Sequence, residues 1–261
     1  MTAMDTNPND GPAIEFRNVS YRLRNSHELL QNLNLTVHRG ETLVLLGRSG
    51  SGKTTTLKLI NRLLEPSEGE VVVDGRRLAE WDVIRLRRMI GYVIQEVGLF
   101  PHFTVEKNIS IIPKIERWPA EQIKQRMQDL LRLVGLDNSV AKRRPSELSG
   151  GQRQRVGVAR ALAADPSFLL MDEPFGALDP LTRAELQNEF LQLQQRLRKT
   201  VIFVTHDLRE ANLFGDRIAL LEAGELVTVL SKSDFATSRH PMVVAYRDAF
   251  STGMSPSGDR R

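Results

Sequence analysis

Residues 47–54, which read GRSGSGKT, decide the fold of this 261-residue chain. The pattern Gly-x-x-x-x-Gly-Lys-Thr is that of a phosphate-binding loop between a strand and a helix. Residues 42–46 are an apolar run that predicts a buried strand, and residues 55–64 predict a helix with one apolar face. This order of elements indicates an α/β fold with a parallel sheet covered by helices.

Length and composition narrow the class of protein. With 261 residues, 41% hydrophobic and 26% charged, the chain is long enough to bury a sizeable core. No apolar run approaches the roughly 20 residues that span a bilayer, and residues 1–11 lack the apolar core of a signal peptide. The absence of cysteine suits a reducing compartment. We therefore expect a soluble protein on the cytoplasmic side.

The net charge of +4 is modest. Basic clusters, namely Arg85, Arg87 and Arg88 and residues 142–144, could contact nucleic acid or lipid head groups, or form a solvated surface. No aromatic residues interleave with them, as stacking on bases would require. We favour the solvated surface and predict no nucleic-acid partner.

Hydrophobic periodicity outlines the rest of the chain. Residues 14–19 and 33–37 alternate apolar and polar side chains and predict strands. Residues 120–134 have a helical period and predict a helical insertion after Gln95. Further strands are predicted at residues 71–73, 90–94, 168–171, 201–205, 217–221 and 225–229. The polar tail, residues 251–261, is expected to be disordered.

The glycine loop is suited to holding phosphates. Its glycines allow sharp turns that aim backbone N–H groups at phosphate oxygens, and the following helix adds the positive end of its dipole. Lys53 is expected to neutralise the β- and γ-phosphates of a nucleotide, and the Thr54 hydroxyl to ligate Mg²⁺. The predicted nucleotide-binding residues here are Gly47, Arg48, Ser49, Gly50, Ser51, Gly52, Lys53, Thr54 and Thr55.

Asp172 and Glu173 follow the apolar run at residues 168–171. Asp172, at the strand end, can reach the ligand shell of a Mg²⁺ ion, and Glu173 can orient and polarise an attacking water. Two adjacent acids before Pro174 could also simply cap the next turn. The phosphate loop upstream favours catalysis.

Two more polar residues follow predicted strands. His206 comes after the run at residues 201–204 and can hydrogen-bond a γ-phosphate, although a lone histidine is more often structural. Gln95 follows residues 91–94, and its neutral amide can contact both Mg²⁺ and the attacking water. Both are candidate catalytic residues, and Gln95 joins Thr54 and Asp172 as a candidate metal ligand.

A second glycine-rich segment is Leu-Ser-Gly-Gly-Gln at residues 148–152. It precedes a predicted helix, residues 153–164, and therefore offers a second anion-binding helix start. A phosphate loop alone indicates only that nucleotide is bound. The second segment, shortly before the acidic strand end, points to one kind of ATPase.

Together these segments resemble the nucleotide-binding subunit of ABC transporters over residues 13–232. The resemblance identifies the Walker A motif (47–54), the Q-loop (Gln95), the signature (148–152), the Walker B motif (168–172), the catalytic glutamate (Glu173), the D-loop (Ala177, Leu178, Asp179) and the switch histidine (His206). It implies a P-loop NTPase cassette with a RecA-like parallel-sheet core, an N-terminal antiparallel β subdomain and an inserted α-helical subdomain at about residues 96–152. A C-terminal extension, residues 233–261, would follow.

In this family two subunits pair head to tail, with ATP between one P-loop and the partner's signature. The resemblance therefore implies a homodimer that uses ATP and Mg²⁺, and it adds further nucleotide-binding residues, Ser149, Gly150, Gly151, Gln152 and Asp179. To shift closure from 1:99 to 99:1, ATP must favour the closed state by about 5.5 kcal/mol. Charge-assisted contacts to a γ-phosphate from two sides can supply that energy.

The family also stacks an aromatic residue on adenine. The alignment places Leu23 at that position, with Tyr21 two residues earlier. Tyr21 either serves after a local shift or packs in the core as a strand residue. It is retained as a candidate nucleotide-binding residue.

Residues 91–109, 60–63 and 175–180 resemble importers of glycine betaine, choline, carnitine or proline. This implies permease partners at the cytoplasmic face of the membrane and a substrate-binding protein. Residues 97–103 would lie where the family docks a cytoplasmic helix of the permease, or would pack against the helical insertion, or both. Many members carry C-terminal CBS domains that sense ionic strength. Residues 233–261 are too few for them, so regulation by that route is not expected.

Other functions use the same motifs. The cargo could be methionine, another amino acid or lipid, because the cargo site lies on other subunits. A soluble ABC ATPase of DNA repair or of ribosomes would carry a long coiled coil or a second cassette, and the sequence has neither. A non-catalytic P-loop protein is disfavoured because Glu173 and His206 are both intact.

Overall fold

The structure, a computed structural model, describes residues 11–23, 27–95, 98–176 and 178–251. These residues form two compact units. The first unit comprises the described residues up to Val83 and from Thr205 onward, and the second comprises those within Ile84–Val204. Residues 1–10 and, from the tail that is expected to be disordered, residues 252–261 lie outside the described residues.

Strands and helices alternate through much of the chain. The strands are β1 Ile14–Arg22, β2 Glu28–Val37, β3 Thr42–Leu46, β4 Glu68–Val73, β5 Arg76–Arg77, β6 Ile90–Val93, β7 Phe168–Asp172, β8 Thr200–Thr205, β9 Arg217–Glu222 and β10 Glu225–Ser231. The α-helices are α1 Lys53–Ile60, α2 Val83–Arg88, α3 Val105–Ile115, α4 Ala120–Leu133, α5 Gly150–Ala161, α6 Pro180–Leu197, α7 Leu208–Phe214, α8 Lys232–Thr237 and α9 Pro241–Ser251. None of these described helices has the length and apolar character that crossing a membrane requires.

The first unit contains an antiparallel sheet with the strand order β2-β1-β4-β5. Ile14 and Phe16 of β1 are buried on one face, which explains the alternation in the sequence. A bulge near Asn18, whose φ is 52°, then shifts the register, and Val19 is buried instead. The strand therefore continues past the predicted end at residue 19.

Ion pairs connect exposed side chains of this sheet across strands. Arg17 lies opposite Glu70, with 3.1 Å between Nη1 and Oε1. Arg22 lies opposite Glu28, with 3.3 Å between Nε and Oε1, and its Nη1 is 3.0 Å from Glu68 Oε1. These pairs link side chains of neighbouring strands, and exposed ion pairs of this kind contribute little to stability.

The strand before the phosphate loop belongs to a second sheet of the first unit. β3 pairs in parallel with β9, and β9 pairs antiparallel with β10. Every residue of β3 is buried, which explains its uninterrupted apolar sequence. Residues 47–52 join the end of β3 to the start of α1, so the loop lies at the carboxyl end of a parallel strand, where ligands of α/β sheets bind.

The second unit combines a parallel sheet with a group of helices. β7 pairs in parallel with β6 and β8, placing Leu170 opposite both Tyr92 and Ile202. Helices α3, α4 and α5 pack on one another. Helices therefore lie between β6 and β7, where the periodicity predicts a helical insertion.

Two predicted helices, residues 55–64 and 153–164, have wrong boundaries, since α1 is Lys53–Ile60 and α5 is Gly150–Ala161. α1 ends at Ile60 rather than at residue 64, and Arg62 just beyond it has a φ of 52°. α5 begins at Gly150 rather than at residue 153, because Ser149 caps it with its side chain. Gly150, Gly151 and Gln152 thus form the first turn of the helix instead of preceding it.

Candidate active site

The phosphate loop needs glycine for two different reasons. At Gly47 an added Cβ would lie 2.3 Å from the carbonyl oxygen of Leu221, so only glycine allows the two backbones to approach this closely. Gly52 precedes α1 with a φ of 97°, a conformation that side-chain-bearing residues rarely adopt. The tight loop exposes residues 48–50 to solvent.

Lys53, the first residue of α1, is held inside this loop. Its side chain is only 4% exposed, and Nζ donates hydrogen bonds to the carbonyl oxygens of Gly47 (2.8 Å) and Arg48 (2.7 Å). These contacts fix the ammonium group beside the N-terminus of α1, where the helix dipole also favours an anion. The positive charge is therefore in place before any ligand binds.

Ser51 provides a test of whether the loop fits a polyanionic ligand. Its hydroxyl oxygen is buried and, among the described residues, has no hydrogen-bond partner. An unpaired buried hydroxyl is energetically unfavourable. A ligand oxygen that accepts a hydrogen bond from the Ser51 hydroxyl would therefore be stabilising. Thr54 and Thr55, on the first turn of α1, are half-buried. The orphaned hydroxyl, the ammonium group and the helix start all suit phosphate oxygens.

His206 follows β8 and is exposed, and the residues on either side of it are fixed by hydrogen bonds. The buried hydroxyl of Thr205 donates to Glu210 Oε2 (2.5 Å) and accepts from the N–H of Asp207 (2.9 Å). The Asp207 carboxylate in turn accepts from the N–H of Arg209 and caps α7. The backbone around His206 is thereby held in one conformation.

We expect Glu210→Ala to lower the free energy of unfolding by about 2 kcal/mol, because hydrogen bonds to buried charged groups contribute on that scale. Urea denaturation followed by circular dichroism measures the change. Glu210→Gln keeps an acceptor oxygen for Thr205 and is expected to lose less. An alanine variant as stable as the parent would show that this hydrogen bond does not support the turn.

Asp172, the last residue of β7, is buried in the second unit with 5% exposure. The hydroxyl of Tyr92 on β6 donates to Asp172 Oδ2 at 3.4 Å. Burial, followed by the negative charge of Asp172, raises the pKa of Tyr92 well above its usual range. The phenol therefore stays protonated and remains a hydrogen-bond donor to the carboxylate.

Glu173 has an unusual backbone conformation, with a φ of 44°. Its N–H donates to the carbonyl of Val204 (3.0 Å), and its carbonyl accepts from the N–H of Gly176 (3.1 Å). Residues without Gly's freedom are uncommon at positive φ, and such strained positions cluster at functional sites. The turn separates Glu173 from the buried strand and leaves its side chain half-buried.

The second glycine-rich segment is fixed by a reciprocal cap. Ser149 Oγ accepts from the N–H of Gln152 (3.2 Å), and Gln152 Oε1 accepts from the N–H of Ser149 (3.1 Å). Gly151 permits close packing on α6, since an added Cβ would lie 2.6 Å from Thr182 Cγ2. The Ser149 hydroxyl acts only as an acceptor in the cap, so its O–H can donate a hydrogen bond to a ligand.

Asp179 caps α6 in the structure. Its Oδ1 accepts from the N–H of Thr182 (3.1 Å), and this hydrogen bond lowers the pKa of Asp179. The carboxylate is thus engaged in its own helix, a structural role that the sequence prediction omitted. Ala177, in the predicted D-loop, lies outside the described residues.

The remaining candidates lie at strand ends or within strands. Gln95 is exposed two residues beyond β6, and its neighbours Glu96 and Val97 lie outside the described residues. Tyr21 is half-buried on β1 opposite Leu30, so it is neither a core residue nor fully available for stacking. Leu23 is 39% exposed.

A family profile described as ABC transporter matches residues 30–176, more than half of the chain. The chain belongs to the ABC transporter family. It is 52% identical to the choline transport ATP-binding protein OpuBA of Bacillus subtilis (strain 168), over 85% of this chain and 58% of that protein. It is also 52% identical to the osmoprotectant import ATP-binding protein OsmV of Salmonella typhimurium (strain LT2), over 78% of this chain and 54% of that protein. The chain thus spans about half the length of these curated relatives.

Solved structures of ABC cassettes have the same fold. CbiO1 from Clostridium perfringens, part of the ABC transporter complex cbiONQ, superposes with a TM-score of 0.80 at 25% identity, covering 92% of this chain and 95% of that one. The ATP-binding cassette MJ0796, a dimer in a post-hydrolysis state with ADP and Pi, gives 0.74 at 35% identity, covering 84% and 98%. The predicted fold class is confirmed.

In this ABC transporter chain the predicted site residues belong to both compact units. The phosphate loop, Tyr21 and His206 lie in the first, whereas Gln95, Asp172, Glu173, Asp179 and the segment at residues 148–152 lie in the second. The described residues contain no group of three or more His, Cys, Asp or Glu side chains that could hold a metal ion.

In this ABC transporter chain, three residues that were not predicted as site residues contact predicted site residues or their neighbours. Tyr92 contacts Asp172, and Thr205 and Glu210 hold the turn at His206. The sequence did contain a local signal for the turn at His206. Asp207 is a typical N-cap residue before α7, and Glu210 lies in the first turn of that helix. No local signal existed for Tyr92, which meets Asp172 only through strand pairing.

Proposed function

We propose that this chain is the ATP-hydrolysing subunit of an ABC importer. The observation that carries the proposal is the phosphate loop, where the buried Lys53 ammonium and the orphaned Ser51 hydroxyl meet at the start of α1. This arrangement suits the β- and γ-phosphates of ATP. The names of the relatives, which describe ATP-binding proteins of transport systems, support the same activity.

In the proposed hydrolysis of ATP, each residue of the site has its own role. Lys53 and the N–H groups of the loop bind the phosphates, Glu173 acts as the general base toward water, and His206 donates to the γ-phosphate. Gln95 orients the water. Thr54, Gln95 and Asp172 would hold Mg²⁺, which neutralises charge on the phosphate oxygens when bound. The positive φ of Glu173 places this residue in a turn directly after the buried strand β7.

We further propose that the active form is a head-to-tail homodimer. The capped start of α5, with Ser149, Gly150 and Gly151, would contact the γ-phosphate bound by a second copy. The reciprocal cap between Ser149 and Gln152 holds this helix start rigid before the copies meet. The dimeric state of MJ0796 supports the proposal.

A groove of about 640 Å³ in the second unit offers a site for the permease. Its lining is mainly apolar and includes Ile84, Tyr92, Phe100, Ile112, Arg88 and Arg160. An amphipathic helix with an apolar face and an acidic residue would complement it. We propose a short cytoplasmic helix of the permease as the occupant, because the named relatives are subunits of transport systems.

The segment before α3 contributes to this groove while being fixed to the helices. Asn108, fully buried, accepts from the N–H of Phe100 (2.8 Å) and donates to the carbonyl oxygens of Phe100 and Phe103. Phe100 itself remains 40% exposed and lines the groove. The two uses expected for residues 97–103, packing and docking, are thus compatible for the described residues from Gly98 onward.

The proposed cargo is glycine betaine or a related quaternary amine, delivered by a substrate-binding protein to the permease. The support comes from relatives named for transport of choline, of glycine betaine, carnitine and choline, and of osmoprotectants. The proposed location is the cytoplasmic face of the membrane, through the permease.

Affinity capture tests the proposed function. Tagged Glu173→Gln protein with Mg-ATP is incubated with detergent-solubilised membranes of its host, and partners are identified by mass spectrometry. We expect a multi-span permease whose cargo pocket identifies the substrate. The matched control is Lys53→Ala, which should not form the trapped dimer. Recovery of soluble partners alone, with the dimer intact, would contradict the transport role.

A further inference from the structure

Tyr92 lines the groove and also contacts Asp172, and the proposed function gives these two features of the second unit separate roles. It lies opposite Leu170 in the parallel pair of β6 and β7. Side chains two residues apart share one face of a strand, so Asp172 lies on the same face as Leu170. The Tyr92 ring is long enough to reach diagonally along that face, and its hydroxyl donates to Asp172 Oδ2 at 3.4 Å.

The strand that carries Tyr92 has little freedom to move. A Cβ added at Gly91 would lie 2.4 Å from the carbonyl oxygen of Ala161, so β6 packs with its backbone directly against the end of α5. On either side of this contact, Ile90 and Val93 are buried. The backbone that carries Tyr92 is therefore held in place by packing. The Tyr92 ring also lines the groove.

We propose that Tyr92 is a positioning residue, which orients the Asp172 carboxylate for a divalent cation. A donor on Oδ2 restricts rotation of the carboxylate, so the carboxylate keeps one orientation toward the cation. The proposal rests on the proposed function, in which Asp172 holds Mg²⁺. It adds that Tyr92, which lines the groove, also contacts the proposed cation ligand Asp172.

The test compares binding of AMP-PNP, an ATP analogue that is not hydrolysed, with Mg²⁺ and with EDTA. Isothermal titration calorimetry gives both dissociation constants for the parent and for Tyr92→Phe. In EDTA, we expect parent and Tyr92→Phe to bind AMP-PNP with equal affinity. Mg²⁺ should raise the affinity of the variant about tenfold less than that of the parent, because removal of a residue that supports a metal ligand costs about 10- to 100-fold in metal affinity. A purely structural defect would weaken both conditions equally and would overturn the proposal.

Tyr246→Phe is the matched control, because it removes the same atom from another buried tyrosine, on α9. It should leave both constants unchanged. An undiminished Mg²⁺ gain in Tyr92→Phe, or a parent whose affinity is independent of Mg²⁺, would also overturn the proposal. A parent that does not bind AMP-PNP at all would instead refute the proposed function. Tyr92→Phe keeps the ring in the groove, so permease capture should persist.

Discussion

Lys53→Ala is expected to weaken ATP binding by about 30-fold or more. Truncating one partner of a buried, hydrogen-bonded charge pair costs about 2–5 kcal/mol, and each 1.4 kcal/mol is about a tenfold change in affinity. The variant also leaves the carbonyl oxygens of Gly47 and Arg48 without the ammonium donor that fixes the loop. Isothermal titration calorimetry with ATP measures the loss.

Lys58→Ala is the matched control for this change. Lys58 lies in the last turn of the same helix and is half-buried, so the substitution removes the same group from α1 without altering the loop. Its affinity for ATP should equal that of the parent. If Lys53→Ala binds ATP as tightly as Lys58→Ala does, the loop does not use its lysine for phosphate.

Glu173→Gln is expected to bind ATP, to lose hydrolysis by about 10²- to 10⁴-fold and to accumulate as a dimer. That range is the usual contribution of general acid–base catalysis. Glutamine matches the size of glutamate, so the backbone turn at φ 44° can be retained while the base is removed. Size-exclusion chromatography with saturating Mg-ATP measures dimerisation, and phosphate release measures hydrolysis.

Glu185→Gln makes the same chemical change at an exposed position on α6 and should hydrolyse ATP normally. A Glu173→Gln protein that stays monomeric with saturating ATP would argue against the sandwich dimer. One that hydrolyses ATP at the parent rate would remove Glu173 from the role of base.

The parts of the fold that the sequence predicted well are those with a local physical cause. β3 was recognisable because burial on both faces demands an apolar run, and the loop after it because phosphate binding demands glycines at fixed positions. α3 was not predicted as an element. It contains Pro113, which is ordinarily unfavourable inside a helix.

The site was less predictable where it depends on contacts distant in sequence. The hydrogen bond from Tyr92 to Asp172 joins residues 80 positions apart and follows from the register of two strands. The positive φ of Glu173 arises from a turn whose geometry the residue types alone do not specify. The cap at Asp179 was predictable in principle, because Asp followed by Pro180 is a typical helix start. The early start of α5 was predictable in principle, because Ser149 and Gln152 have the spacing of a capping box.

The exposed ion pairs of Arg17 and Arg22 make one part of the antiparallel sheet sensitive to salt. The screening length falls from about 8 Å at 0.15 M to about 3 Å at 1 M, so attraction between these solvent-exposed charges weakens with ionic strength. The buried face of the same sheet, with Ile14, Phe16 and Val19, does not depend on charge. The buried core of this sheet is therefore expected to persist at high ionic strength.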